Sequence, residues 1–270
     1  MRADFVIQGQ SVTAGQRSVI DLVLPKLNSH TSLTMPIHVV HGRKDGPRLF
    51  VCAAIHGNEL NGVEIIRRLL EVKALRRLAG TLVAAPVVNV YGLIHQSRYL
   101  PDRRDLNRSF PGSATGSLAA RVAHLVLNEI VRHCSHGIDL HTGAIQRTNL
   151  PQIRANLDDP ETEFLARAFG VPVLLNSTLR DGSLREAAAA LGIPMLLYEA
   201  GEGLRFDEVP IRAGLTGILN VMRALAMLPA NPPRHTQRGP FHRALQQLDA
   251  CAGERATAHS GAAWRPGTTW

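Results

Sequence analysis

Residues 51–59 read VCAAIHGNE, an apolar, β-prone run that stops at a turn carrying a histidine and a glutamate three residues apart. Val51 to Ile55 suit a buried strand, and Gly57-Asn58 suits the turn at its end. His56 and Glu59 thus stand where two side chains can reach one ion. A third histidine has the same setting, because HGIDLHTG at 136–143 runs a short apolar segment into His141 and a Thr-Gly turn. Two histidines and one carboxylate leave a tetrahedral zinc one open position, as in catalytic rather than structural zinc sites. A lone His-x-x-Glu pattern also arises by chance, and a strand-end histidine bonded to a nearby backbone group is the plainer alternative.

Outward from this stretch, runs rich in Val, Ile and Leu recur near 48–55, 81–90, 137–141, 171–176 and 194–199. Helical periodicity fills several intervals between them, which is the signature of an α/β fold. Asn58 to Leu75 places Leu60, Val63, Ile66 and Leu70 at helical spacing, and Ser117 to Cys134 does so with Leu118, Val122, Leu125 and Ile130. Further helices are expected over Asp159–Phe169, Ser183–Leu191 and Pro210–Leu228, the first opening with the Asp-Pro-Glu that helix starts favour. Ligands in open α/β sheets gather at the carboxyl ends of strands. Two more polar clusters, DLNRSFPG at 105–112 and YEAGEG at 198–203, follow apolar runs or close loops. The long polar loop from Asn89 to Gly116 carries Tyr91, His95, Arg98, Tyr99 and Asp105 and is expected to be ordered and to face substrate. A solvated charged loop is the alternative.

HGNE with His56 and Glu59, DLNRSFPG with Asn107 and Arg108, DLHTG with His141, and LLYEAGEG with Glu199 together resemble the succinylglutamate desuccinylase/aspartoacylase family, a branch of the zinc carboxypeptidase-like hydrolases. The likeness runs in consistent order from roughly residue 15 to residue 228, and four motifs in register are far more specific than one. It implies a three-layer fold with a central mixed, mostly parallel sheet flanked by helices. It also implies one Zn2+ per chain held by His56, Glu59 and His141, with Glu199 as the catalytic base and Asn107 and Arg108 as a substrate-binding pair. Arg98 is similar to a further family arginine upstream of that pair. Arg147 and Arg154, in the stretch after His141, are additional substrate-binding candidates.

The residues themselves carry part of this reading. Zinc lowers the pKa of a bound water and polarises a carbonyl, so a base must accept the water's proton and pass it to the leaving amine. Glu199 suits that role because it follows the apolar PMLLY and precedes Ala-Gly, which adds little bulk at a pocket edge; Glu202 is the competitor three residues on. A guanidinium suits both a developing oxyanion and a fixed substrate carboxylate. Asp139, two residues before His141, shares its side of a strand and either orients that histidine or caps a loop.

Composition sets limits. With 270 residues and 45% hydrophobic content, the chain can bury one large core. No run approaches the roughly 18 apolar residues of a membrane span, and MRADFVIQGQ has neither a basic nor an apolar leader region, so no membrane partner and a cytoplasmic location are expected. Cys52, Cys134 and Cys251 are odd in number and lack C-x-x-C spacing, which argues against a disulfide framework or cysteine-bound zinc; Cys52 and Cys134 read as buried fillers. The net charge of +8 comes mainly from scattered arginines without a nucleic-acid motif, and a small anionic acyl-amine substrate suits it. His38, His41, His124, His133 and His136 read as structural, and His95 as intermediate.

After Leu228 the chain turns rich in Pro, Gly and Arg and holds three of the eight excess charges. The resembled family normally has a C-terminal β-rich domain near this point, and nothing here alternates like a strand. The expected organisation is therefore a hydrolase domain over 1–228 and a disordered or aberrant tail over 229–270. The functional expectation is a zinc-dependent amidohydrolase that cleaves a small N-acylated amino acid or related acyl-amine, with a homo-oligomer left open. A metallocarboxypeptidase and a truncated, inactive binding protein are the alternatives.

Overall fold

The chain is described here by a computed structural model covering residues 2–27 and 30–230. Among the described residues ten strands form a hairpin and one large sheet. β1 (Phe5–Ile7) and β2 (Gln10–Val12) make the hairpin. The eight-stranded sheet has the order β3 (Arg17–Val23), β4 (Thr34–His41), β6 (Ala79–Ala85), β5 (Lys44–Ala53), β7 (His136–Gly143), β10 (Met195–Glu202), β8 (Asn149–Ala155), β9 (Val173–Asn176). Its centre, β6-β5-β7-β10, is parallel throughout, while β3-β4, β4-β6 and β10-β8 pair antiparallel. The expected mixed, mostly parallel sheet is what forms.

Both faces are covered, which explains the unbroken apolar runs. Leu49, Val51 and Ala53 of β5, with Ile138 and Leu140 of β7, pack under α1 (Asn61–Glu71), α4 (Pro160–Phe169) and α6 (Glu208–Ala224). Phe50 and Cys52 turn to the other face, with Val83, Ala85 and Met195, under α3 (Leu118–Glu129) and α5 (Leu184–Ala189). A short helix, α2 (Val90–Ile94), follows β6. Among the described residues no helix is long and apolar enough to cross a membrane.

The helices begin where the sequence provides caps. Asp159 accepts from Thr162 N ahead of Pro160, Ser117 from Ala120 N, and Ser183 from Glu186 N, each satisfying one orphan donor at about 1 kcal/mol. α4 ends at Gly170 in the left-handed region, as helix ends favour. The first expected helix is shorter than its periodicity suggests. It runs from Asn61 to Glu71 because Val72 turns extended, and residues 73–77 continue as a 3-10 turn. Its buried stripe is Gly62, Ile65, Ile66 and Leu69, so only Ile66 of the four expected positions is fully inside. The expected 117–134 helix likewise breaks at Ile130 and continues as a 3-10 turn over 131–133.

This topology places the functional motifs. Parallel β5, β7 and β10 end at one edge, with Ala53 opposite Leu140 and His141 opposite Glu199. His56, three residues beyond Ala53, arrives at that edge too. The tail expected over 229–270 lies, from residue 231 onward, outside the described residues, as does the question of a following β domain.

Candidate active site

His56 leaves β5 through a left-handed turn at Ala54 (φ 49°). The backbone N of Glu59 then donates to His56 O, closing the turn and bringing both side chains to one side. The loop after β6 pins it, with Val88 N and Asn89 N donating to Ala53 O and Ala54 O. Gly57 is required here: a Cβ at this position would lie 1.9 Å from Gly92 C.

The geometry of the three candidate ligands is specific. His56 Nδ1 lies 2.7 Å from Glu59 Oε1, and His141 Nδ1 lies 2.8 Å from Glu59 Oε2. The opposite ring nitrogens are each engaged by a carboxylate, His56 Nε2 by Asp105 at 3.1 Å and His141 Nε2 by Asp139 at 2.7 Å. Carboxylates behind both imidazoles fix ring orientation and raise the basicity of the inward nitrogens. The three ligand atoms lie within 4.8 Å of one another, and all three residues are buried. A tetrahedral ion with bonds near 2.1 Å sets its ligands roughly 3.4 Å apart, so the donor set fits zinc after the pairs open by under about 1 Å.

Without an ion, the charges answer one another. Burial pushes the Glu59 carboxyl up, but His141 and His56 outweigh it and hold the group at about 2. Burial lowers the His141 imidazolium, yet Asp139 and Glu59 reverse this and raise it well above its ordinary value. For Asp105, His56 and Arg98 overcome burial and hold the carboxyl far below the usual range.

A cavity of about 390 Å³ opens on this cluster, floored by the sheet and walled by the 98–108 and 177–183 segments. Glu199 lines it. Its Oε1 accepts from Asn149 Nδ2 at 2.7 Å, and its Oε2 lies 2.8 Å from Arg154 Nε, a close ion pair whose N–H is not aligned for a hydrogen bond. Glu202 instead holds the 144–148 turn, accepting from Gln146 N and Thr148 Oγ1, and does not line the cavity.

The remaining candidates also converge. Arg98 pairs with Asp105 at 2.9 Å and lies 3.6 Å from Glu59. Arg108 lines the cavity and donates to Asn107 O, while Asn107 Oδ1 accepts from Leu184 N. Arg147 and Arg154 line it as well.

Sequence reading did not single out Asp105 as the partner of His56, Asn149 as the partner of Glu199, or Arg180 and Arg185 in the wall. For Asp105 a signal existed, an acid two residues before Asn107 in the same motif; for the others there was none. Two of the histidines read as structural are so placed: His41 spans Thr81 and Ala3 O, and His136 spans Ser135 and Glu161.

The profile of the succinylglutamate desuccinylase/aspartoacylase catalytic domain matches residues 45–225. The chain belongs to this family. A curated relative, the N-alpha-acetyl-L-2,4-diaminobutyric acid deacetylase of Halomonas elongata, is 29% identical over 160 residues, which is 56% of this chain and 46% of that protein. The chain thus matches under half the length of that relative. A succinylglutamate desuccinylase/aspartoacylase from Rhodobacter sphaeroides superposes with a TM-score of 0.74 at 26% identity, over 83% of this chain and 70% of that one. The ectoine utilization protein EutE (DoeB) from Ruegeria pomeroyi shares the fold at 22% identity and a TM-score of 0.73, over 82% and 70% of the two chains. All of these names but the last denote hydrolases that remove an acyl group from an amine. In this chain the parallel strand ends of β5, β7 and β10 form the platform of the candidate site.

Proposed function

We propose that the chain is a zinc-dependent amidohydrolase that cleaves the amide of a small anionic N-acylated amino acid or related acyl-amine. The observation that carries the reading is the convergence of His56 Nδ1 and His141 Nδ1 on Glu59, each ring backed by its own carboxylate. The family and the deacetylase relative support the same reaction class.

Zinc held by His56, Glu59 and His141 would supply a Lewis acid and a water acidic near neutrality. The chain's residues do the rest. Glu199 takes the water's proton and delivers it to the departing amine nitrogen; Asn149 and Arg154 fix its carboxylate and keep both oxygens turned along the cavity. Arg98, beside Glu59, is placed to receive charge that builds on the carbonyl oxygen. Arg108 provides a planar fork for the substrate carboxylate, on a turn that Asn107 anchors to α5. In this reading residues 1–228 form the hydrolase domain, and the enzyme is cytoplasmic.

Elemental analysis of the purified chain and of His141→Ala, with assays on N-acylated amino acids and on short peptides, tests it. The reading expects about one zinc per chain, lost in the variant, and cleavage of acyl-amines. No zinc after supplementation would overturn it, and cleavage of peptides alone would favour a carboxypeptidase.

A further inference from the structure

Asn61, the first residue of α1, stands two residues beyond the ligand candidate Glu59, and the chemistry above makes no use of it. It is 1% exposed. Its Nδ2 donates to Ala200 O at 3.3 Å, and its Oδ1 accepts from Asp207 N at 2.8 Å. A buried amide is costly unless its polar ends are bonded, and both ends of this one are given to the segment that follows Glu199.

The first of these bonds falls on an irregularity in β10. Between Glu199 and Glu202 the strand carries one residue more than β7 opposite it, and its pairing with β8 slips between Glu199 and Gly201. A bulge re-aims the side chains beside it, and here the neighbouring side chain is Glu199. Gly201 adopts φ 73°, and a Cβ there would lie 2.5 Å from Asn61 Nδ2, so the amide packs directly on the bulge. The loop beyond is held to the same turn a second time, with Leu204 N donating to Asn58 O at 2.7 Å. The turn that carries His56 and Glu59 thus meets the strand end that carries Glu199 through Asn61, at the point where the ladder is interrupted.

We propose that Asn61 is a positioning residue for the hydrolysis: by clasping the bulge at Ala200 and the start of α6, it keeps the Glu199 carboxylate in register with the turn that carries His56 and Glu59. This rests on the hydrolase reading above and adds to it a group that touches neither substrate nor metal. Loss of the clasp lets the end of β10 shift, so proton transfer suffers, while both ligand histidines stay fixed from behind by Asp105 and Asp139.

A double-mutant cycle on the zinc-supplemented full chain tests it, with the N-acylated amino acid cleaved fastest in the assays above as substrate. Asn61→Ala is expected to lower kcat by about tenfold to a hundredfold, with KM and the zinc dissociation constant each within about twofold of the parent values. In a Glu199→Gln background the same change is expected to alter kcat by less than about twofold, because the group it positions is already gone. Asn61→Asp keeps the acceptor for Asp207 N and loses only the donor to Ala200 O; it is expected to show the same pattern and serves if the alanine variant does not fold. Amide hydrogen exchange on the metal-free chain gives a second readout, in which Asn61→Ala speeds exchange over residues 200–207 and not over 138–141. An unchanged kcat, an equal loss in both backgrounds, a loss that comes with weakened zinc binding, or equal exchange in parent and variant overturns the positioning role. Zinc and turnover without the Asn61 pattern sink that role alone, whereas a chain that takes no zinc and cleaves no acyl-amine removes the hydrolase reading and the role with it.

Discussion

Cys52 and Asp139 lie side by side on β5 and β7, and the thiol donates to Asp139 Oδ1 at 3.3 Å while Oδ2 holds His141 Nε2. The thiol is fully buried, and burial together with Asp139 pushes its titration well up, so it remains a donor. Cys52 thus does more than fill space.

Replacing it tests that link. Cys52→Val keeps the volume but leaves a buried carboxylate oxygen unpaired, which costs about 1–3 kcal/mol and is expected to weaken zinc binding by up to about tenfold. Cys52→Ser, which restores a donor, is expected to recover part of both. Urea unfolding and competitive zinc titration read the two effects; equal behaviour of the valine and serine variants would show that the hydrogen bond is idle.

Glu199 offers a sharper contrast between binding and turnover. Glu199→Gln is expected to keep its zinc and lose about 10²–10⁴-fold in kcat. Asn149→Ala, which frees one carboxylate oxygen, should lose less. Loss of zinc from the glutamine variant would place Glu199 in the ligand set instead.

The metal-free site makes a prediction about pH. His141 is raised above its ordinary 6.5 by Asp139 and Glu59 against burial, so its contribution to stability is complete below 6.5 and drains away as pH rises from there through the raised value. Glu59, depressed to about 2, contributes above its ordinary 4.5 and loses this only as pH falls toward 2. The metal-free melting temperature should therefore decline above pH 6.5, and zinc, which replaces the proton, should flatten the decline while releasing protons on binding. Thermal melts from pH 5 to 9 with and without zinc check this; parallel curves would contradict it.

A stability gain is expected far from the site. α6 ends in a Schellman arrangement, with Met227 N donating to Met222 O and Ala226 N to Arg223 O, and Ala226 sits exposed at φ 54°. α4 uses Gly170 at the corresponding place. Ala226→Gly should stabilise by about 1 kcal/mol, read as a higher denaturation midpoint without a change in slope.

Much of the fold was legible because two-sided burial writes itself as continuous apolar runs. β5, β6, β7 and β10 were found that way, the start at Asp159 marked α4, and apolar periodicity marked α3. β3 was not legible, since only Ile20 and Leu22 of its seven residues face the core. β8 was hidden by Pro151 and by partners that include Glu199 and Gly201, where its register slips. The ligand candidates were readable as motifs because their neighbours in sequence are their neighbours in space. Arg185 and Asn149 were not, because Arg185 reaches the cavity from α5 and Asn149 through the place of β8 in the sheet.

The stitching between two loops has a last consequence. Asn107 Oδ1 accepts from Leu184 N, Phe110 N donates to Gly182 O, and a Cβ on Gly182 would strike Arg108 O at 2.7 Å. The turn that carries Arg108 and the start of α5 are therefore joined in one piece of cavity wall. A change that loosens either loop is thus felt on both sides of the cavity mouth.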